Sequence, residues 1–481
     1  MRQPVPLTAG AYQARSLIAA AQRCVNLYPE KNPEGSPFPF TLYPTPGLTL
    51  RNTAPVALAG RCLYRASNGQ LFGVVGTRVY FIDTDWSFTD LGAVTVGRSN
   101  ICYMADNGTT IILVDGSTSG WSINLSTHAY AVIPDVDFLG GDRVDYLDTF
   151  FLLNQPNTRN WYVSEGNAIT FDPLDIVAKS GNADNIQTII ANSRVVWLLG
   201  TLTSELWFNE GGAGFPYVEF PGTFIEHGTV ARYSLASSDV AIYWLSQDKQ
   251  GHAIVLKGLA NQAKRISTHA IETAISGYST ISDAIGFTYQ QEGHVFYVLT
   301  FPTADRTWAY DEASELWHER VWLDTDGDYH RIRPNCCAFA YGENLCLDHT
   351  NGRLLSLDLD TYRDVTDPIL RIASFPHILN GRDRIIFHEF VADMEPGQDD
   401  GVIDGSSSAS PPVITLRWSD TNGISYNSGI TQSLGAAGQY LTSIKWPRLG
   451  MARGRVFELS WSVPAKTALN GGWVRATKAG T

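Results

Sequence analysis

Seven stretches of the chain repeat one pattern, in which a short apolar strand, a polar turn and two further apolar strands follow one another. The turns contain Gly or Asn, and the pairs Asn68-Gly69 and Asn107-Gly108 are strong hairpin signals because both positions tolerate positive φ. Successive repeats start 38 to 51 residues apart, close to the ~40–50 residues of one four-stranded propeller blade. The repeats start at Leu63, Ile101, Val144, Ile189, Val240, Ile285 and Cys336.

The repeats favour a closed ring of blades, because each blade can then bury its apolar faces against its neighbours. We therefore predict an all-β fold built on a β-propeller of six or seven blades. The number depends on whether the first and last segments complete one blade together. Aromatic residues make up 11% of the chain and apolar residues at helical spacing are scarce, which agrees with a β protein. Two short helices are predicted, near 11–21 and 264–275.

Three regions are expected along the chain. Residues 1–55 are proline-spaced and predict an extended N-terminal arm, residues 56–375 the β-propeller, and residues 376–481 a C-terminal β-sandwich-like domain. The segment 395–412 is acidic and rich in Gly, Ser and Pro, as expected of a linker or a long exposed loop.

The charge balance argues against tight DNA binding. Asp and Glu number 48 against 35 Lys and Arg, which gives a net charge of -13, whereas a phosphate-binding surface has to be positive. An acidic surface is compatible with DNA passing by, although solubility alone explains it as well. Neither a signal peptide nor a membrane-spanning stretch is predicted, and six cysteines without a C-x-x-C pair suggest free thiols in a reducing cytosol.

The chain offers no residues for a catalytic, cofactor or metal site. The common nucleotide-binding, zinc-protease and serine-hydrolase motifs are absent. Asp324, Asp326 and Asp328 resemble a calcium loop, but the glycine is out of register and the twelfth position is Asn335 rather than Glu, so a solvated turn is favoured. The turn at 419–426 resembles the Asp-box turn of sialidase propellers, which, with 13 tryptophans, keeps a carbohydrate-binding or sialidase-like protein as the alternative. A general interaction scaffold is a third possibility.

Several segments resemble one family of phage proteins. RCVNLYPEKNPEGS at 23–36 and LYPTPGLTL at 42–50 look like the opening of the packaged-DNA stabilisation proteins, also called tail nozzle or tail hub proteins, of short-tailed bacteriophages. The resemblance extends to 185–222, where a Ser-Glu-x-Trp-Phe element precedes a Gly-rich turn, and to 227–272. The C-terminal segments LRWSDTNGISY and WPRLGMARGRVFELSWS are also similar to this family, so the resemblance covers most of the chain.

This resemblance implies a non-enzymatic structural protein of the virion tail, made in the cytoplasm of the bacterial host. It implies a homo-hexameric ring below the portal-adaptor (head-to-tail) ring, which retains packaged double-stranded DNA and later serves as its exit channel. The expected partners are that adaptor ring, a tail plug or needle, and tailspikes or fibres. DNA would pass through the lumen without sequence-specific binding. No cofactor is implied.

Part of the arm is the candidate for contacts with neighbouring subunits or with the ring above, because it is extended and has little material for a core of its own. The alternative is that this part closes the propeller or packs on its flank. The candidate contact residues are Asn26, Leu27, Tyr28, Pro29, Pro44 and Pro46.

Overall fold

Six groups of four consecutive antiparallel strands follow one another along the chain, and we call them blades one to six; the first five are separate sheets, and the sixth is part of a larger sheet. Blades one to three comprise Gly60–Arg65, Leu71–Val75, Arg78–Ile82 and Phe88–Ala93; Tyr103–Asp106, Thr110–Val114, Gly120–Asn124 and Tyr130–Val132; and Val144–Leu147, Phe150–Asn154, Asn160–Ser164 and Phe171–Ala178. Blades four to six comprise Ile186–Asn192, Val195–Gly200, Ser204–Asn209 and Tyr217–Ile225; Ala236–Ser237, Ile242–Gln247, Ala253–Leu259 and Gln262–Arg265; and Ile285–Gln291, His294–Phe301, Arg306–Asp311 and Leu316–Arg320.

These elements come from a computed structural model that describes residues 2–7, 10–98, 100–212, 214–381, 383–396, 412–436 and 438–479. Within these ranges the chain is almost entirely β, with one α-helix, and none of its helices has the length and apolar character needed to cross a membrane. The acidic loop predicted at 395–412 lies outside the described residues, apart from 395, 396 and 412.

A seventh blade closes the ring and is assembled from both ends of the propeller sequence. Its first three strands, Pro334–Ala340, Glu343–Asp348 and Arg353–Asp358, are consecutive, but its fourth is the N-terminal strand Gly47–Thr53. That strand runs antiparallel to Arg353–Asp358. The first strand of blade seven contacts the first strands of both blade six and blade one. The predicted propeller is confirmed, and its first and last segments do complete one blade together.

Each pair of neighbouring blades encloses an apolar core of its own. Between blades seven and one, for example, Leu71, Tyr80, Leu345 and Leu347 are fully buried. The second strands of the blades, such as Thr110–Val114, are nearly continuous apolar runs because both of their faces are covered by a neighbouring blade. Seven such cores follow one another around the ring and hold its blades in fixed positions.

The C-terminal strands form a β-sandwich with strands from the N-terminus. Its first sheet orders Lys445–Pro447, Ile385–Met394, Leu469–Lys478, Phe40–Pro44 and Leu27–Lys31, while Gln3–Pro6 pairs with Leu469–Lys478 and Met451–Ala452 with Ile385–Met394. Its second sheet orders Cys24–Val25, Arg371–Ser374, Gly454–Trp461, Val413–Ser419 and Ile430–Ser433, while Ile378–Leu379 pairs with Gly454–Trp461. Phe390, Trp446 and Phe457 lie in the core between the sheets and are fully buried. The predicted sandwich-like domain is thus present, with extra strands from the predicted arm.

The remaining short strands form three hairpins. These are Tyr12–Gln13 with Ala21–Gln22, Trp322–Leu323 with Tyr329–His330, and Arg363–Asp364 with Asp367–Pro368.

One of the two predicted helices is correct and the other is wrong. Helix His269–Ser276 follows Thr268, whose side chain accepts a hydrogen bond from the backbone N–H of Ile271 and so caps the helix. The segment 11–21 instead forms a hairpin between Tyr12–Gln13 and Ala21–Gln22. Its tip leaves Ile18 66% exposed, and here tertiary pairing overrides local propensity.

The propeller and the sandwich share one hydrogen-bonded sheet. Val25 pairs on one side with Glu319, in the outer strand of blade six, and on the other side with Ile372 of the sandwich. The residues predicted as one arm, 1–55, are therefore divided between blade seven and the sandwich.

Asn26 fastens this junction through its side chain. Its Nδ2 donates to the carbonyls of Val321 and Leu370 at 2.8 Å each, and its Oδ1 accepts from the N–H of Val321 at 3.0 Å. The residue is 1% exposed and has a φ of 52°, a conformation that Asn tolerates better than most residues. Buried carbonyls that lose such a partner destabilise the fold.

We expect Asn26→Ala to destabilise the chain strongly, because it leaves these buried backbone groups without partners. The matched control is Asn157→Ala, since Asn157 has a similar φ of 60° and an exposed side chain. The loss of unfolding free energy for Asn26→Ala should exceed that of the control by about 2–3 kcal/mol. Denaturant unfolding of both variants measures this difference. Equal losses would show that the side-chain hydrogen bonds of Asn26 do not stabilise the junction.

Candidate functional site

The innermost strands of all seven blades surround a central channel. Its open part has a volume of about 380 Å³ and is lined by residues from every blade, including Cys62, Tyr103, Arg143, Phe287 and Cys337. A cavity of this volume is at the lower end of the range for small-molecule sites. The open part of the channel is thus large enough for a small ligand but too small for a DNA duplex.

A short 3₁₀ turn, Arg232–Ser234, crosses the channel at the end where the innermost strands begin. Tyr233 precedes blade five, yet its hydroxyl accepts a hydrogen bond from Asn100 Nδ2 at 3.1 Å, and its ring stacks on Tyr103 of blade two with centroids 6.4 Å apart. Blades two and five lie on opposite sides of the ring. The turn thus closes this end of the channel.

The charged groups near this turn are largely paired with one another. Arg232 binds Asp142 at 2.5 Å and donates to Gln187, while the guanidinium of Arg143 lies 4.5 Å from the ring of Tyr103. Burial raises the pKa of Asp142, and the nearby Arg232 opposes that rise. These contacts hold the turn in place, and the charges of Arg232 and Asp142 are balanced inside the fold.

A groove of about 650 Å³ lies at the opposite mouth, where the hairpins of blades five, six and seven meet. Ser238, Asp239, Glu292, His294 and Phe339 are among its lining residues. A serine nucleophile in this groove would need His294 as its base, but Ser238 Oγ donates a hydrogen bond to the carbonyl of Ala241 in its own turn. His294 instead faces two carboxylates.

His294 links blade six to the arm strand Leu27–Lys31. Its Nδ1 lies 3.0 Å from both carboxylate oxygens of Asp311, and its Nε2 lies 3.7 Å from Glu30. The ring of Tyr28 packs edge-on against His294 with centroids 5.1 Å apart. The hydrogen bond with Asp311 raises the pKa of His294, and desolvation only partly opposes this, so a protonated ring in this position would bridge two carboxylates.

The six predicted contact residues are all buried inside the chain. Leu27, Pro29 and Pro44 belong to the first sheet of the sandwich, and the carbonyl of Pro46 accepts a hydrogen bond from Arg320 of blade six. The residues buried here are Asn26, Leu27, Tyr28, Pro29, Pro44 and Pro46. Within this chain the segment packs on the flank of the propeller and in the sandwich, and contact of these residues with other subunits stays a prediction.

The two acidic turns considered from the sequence have structural partners. Asp324 accepts hydrogen bonds from the N–H groups of Asp326 and Asp328 within its own hairpin. In the Asp-box-like turn, Asp420 lies in the sandwich rather than in a blade, and its carboxylate binds Arg455 at 2.7 and 2.9 Å. Within the described part of the chain, no group of three or more His, Cys, Asp or Glu could hold a metal ion.

A family model described as "Bacteriophage P22 Gp10, beta-propeller" matches residues 3–362. The chain belongs to this phage stabilisation family. The match includes all seven blades and ends before the strand Arg371–Ser374 of the sandwich. As a member of the phage stabilisation family, the chain is a bacteriophage structural protein and a component of the virion.

The other comparisons are distant or negative. No curated protein matches the chain. A solved structure titled "YCF48 bound to D1 peptide" is similar at 10% identity with a TM-score of 0.41, covering 64% of this chain and 94% of that one.

Two features of the site were missed from the sequence. Glu30 lies far along the chain from His294 and Asp311, which belong to neighbouring strands of blade six, and nothing in the local sequence indicates that the three side chains come together. The turn that closes the channel had a signal, because the repeats at Ile189 and Val240 start 51 residues apart, one of the two longest spacings. That excess length indicated additional structure between blades four and five.

The pairing of His294 predicts a pH-dependent contribution to stability. Because its folded pKa is raised, the contribution is fully present below its ordinary value of 6.5 and is lost as the pH rises through the folded value. Burial raises the pKa of Asp311, but its hydrogen bonds to His294 and Ser314, with other contacts, outweigh burial and lower the pKa, so its contribution disappears as the pH falls through that lowered value. His294→Gln should therefore lose about 1.5–3 kcal/mol near pH 6 and less near pH 9.

Urea unfolding of His294→Gln at several pH values measures this dependence. The control is His252→Gln, because His252 also faces an aspartate, Asp248 at 3.1 Å, but on an exposed turn. The control should show little change at any pH. A loss for His294→Gln that is the same at pH 6 and pH 9 would contradict the charged bridge.

Proposed function

We propose that the chain is a ring subunit of a short phage tail, which extends the DNA conduit below the portal-adaptor assembly. In this function six copies form a nozzle or hub ring that retains packaged DNA and becomes its exit channel at ejection. The observation that carries the proposal is the match of the phage stabilisation family to residues 3–362. The protein would act through its surfaces rather than through a reaction.

The rigidity of the fold supports this function. Seven apolar cores lock the blades, and the sheet that contains Val25 joins blade six to the sandwich without a flexible linker. A ring wall under pressure from packaged DNA has to resist deformation, and close-packed cores have low compressibility. Each subunit is thus suited to transmit load between the rings above and below it.

The net charge of the chain is consistent with DNA that passes through the ring without binding to its wall. A charge of -13 disfavours the phosphate contacts that dominate protein–DNA affinity. An acidic lumen wall would let a polyanion slide, while a separate plug or needle would hold it against the internal pressure.

Neighbouring subunits, tailspikes or fibres would meet the outer edges of blades one to five, whose outermost strands pair on one side only within the described residues. The outer strand of blade three carries Asp172, Pro173 and Asp175, and that of blade four carries Pro221. Proline and charge discourage strand-to-strand pairing at such edges. We therefore expect side chains, rather than added β-strands, to make the contacts between subunits.

The proposal predicts that virions lacking this protein package DNA but fail to keep it. We expect a nonsense mutation in its gene to reduce the DNase-protected genome copies per capsid by at least about tenfold, because the plug or needle then lacks the ring whose far end it would close. Quantitative PCR after DNase treatment measures this ratio. Supplying the wild-type chain or the surface variant Asn157→Ala should restore protection.

A second measurement uses purified components. The full chain, mixed with its portal-adaptor assembly, should form sixfold rings visible by electron microscopy and should release no product from fluorogenic glycosides. Genomes fully protected without the chain, or a chain that stays monomeric beside the adaptor, would overturn the proposal. Glycoside turnover would favour the carbohydrate-active alternative.

A further inference from the structure

Two cysteines lie directly opposite each other in blade seven. Cys337 is in the first strand and Cys346 in the second, and the antiparallel register pairs them. The intervening turn has positive φ at Tyr341 and Gly342, 54° and 85°, as in a two-residue type I′ hairpin. The residues next to such a turn, Ala340 and Glu343, form a hydrogen-bonded pair.

The position in this ladder determines how closely the two side chains approach. Hydrogen-bonded and non-hydrogen-bonded pairs alternate along an antiparallel hairpin. Cys337 and Cys346 are the third pair beyond Ala340 and Glu343, so theirs is a non-hydrogen-bonded pair. In such pairs the Cα atoms are about 4.5 Å apart, which lies within the range of about 4.4–6.8 Å that a disulfide spans.

The two thiols share one face of the blade but differ in exposure. Both pack into the core between blades six and seven, where Cys346 is fully buried and Cys337 is only partly buried. Burial, followed by a hydrogen bond with Cys337, holds the pKa of Cys346 well above its usual range. Cys337 also lines the central channel, through which a small oxidant can reach it.

We propose that Cys337 and Cys346 form a cross-strand disulfide when the chain meets a small-molecule disulfide oxidant outside the reducing cytosol. The inference rests on the fold of blade seven and is independent of the ring. In the host cytoplasm both thiols stay reduced, whereas a released particle is in an oxidising medium. The bond then links the first two strands of the blade that closes the propeller.

The reaction proceeds in two balanced exchanges. The thiolate of Cys337 attacks a sulfur of the small disulfide, forms a mixed disulfide and expels one thiolate. Cys346 loses its proton to solvent and attacks Cys337 Sγ, which expels the second thiolate. Two protein thiols lose two protons and two electrons, and the oxidant becomes two thiols. The raised pKa of Cys346 makes the second exchange the slow one.

The neighbouring cysteine provides a matched control. Cys336 precedes Cys337 in the same strand, so its side chain points to the other face, into the core shared with blade one. Cys62 and Cys102 lie in the adjoining core between blades one and two. Neither of them pairs with Cys336 in a strand register.

The test uses the folded full-length chain incubated with oxidised glutathione. We expect the free thiols, counted after denaturation, to fall from the six cysteines of the chain to four. Peptide mapping should show a link between Cys337 and Cys346, and the intact mass should fall by two hydrogen atoms. Cys336→Ser should keep this link, whereas Cys346→Ser should stop at a glutathione adduct on Cys337.

Three results would overturn the proposal. These are six thiols that persist, a stable glutathione adduct on Cys337 in the wild-type chain, or a link that joins Cys336 to Cys62 or Cys102. If Cys346→Ser does not fold, mapping of the wild-type chain decides alone. Alkylation of the chain from infected cells and from released virions then gives the second comparison, with the link expected only in virions.

Discussion

The pairing of Gly47–Thr53 with Arg353–Asp358 is the interaction on which the architecture depends. A propeller ring has to hold its last blade against its first, and here a strand from the N-terminus completes that last blade. This pairing spans about three hundred residues, but the entropy of closing such a loop grows only slowly with its length. Once strand Gly47–Thr53 is in place, the preceding residues have to cross the flank of blade six, which places the sandwich beside that blade.

The repeating pattern was sufficient to predict the propeller, because blades are local units whose strands are consecutive. The asparagine–glycine turns marked hairpins correctly in blades one and two. Strands that pair across long sequence separations show no such repeating pattern. Nothing in the N-terminal strand indicates that Leu50 pairs with Leu355, and the prolines of the arm suggested exposure where the structure has buried sandwich strands. The helix expected at 11–21 failed for a related reason, since local propensity competes there with hairpin pairing.

The candidate contact residues illustrate the same limit for function. Extended, proline-rich segments often serve as docking arms, so Asn26 and its neighbours were reasonable candidates from the sequence. In the fold, the hydrogen bonds of Asn26 and the bridge from His294 to Glu30 attach this segment to its own subunit. Whether a segment docks on another chain or on its own depends on partners that only the tertiary structure reveals.

The closed channel bears on how such a protein could guide DNA. Tyr233 lies across the axis of the propeller and bonds to Asn100 on the far side, and the open part of the channel holds only about 380 Å³. DNA therefore cannot run through the centre of one propeller. If the chain surrounds DNA, the lumen has to lie between subunits, and the propeller serves as a solid wedge in its wall. Because the charges near the closing turn are paired inside the fold, the net negative charge of such a wedge lies at its surface, where it would face the polyanion.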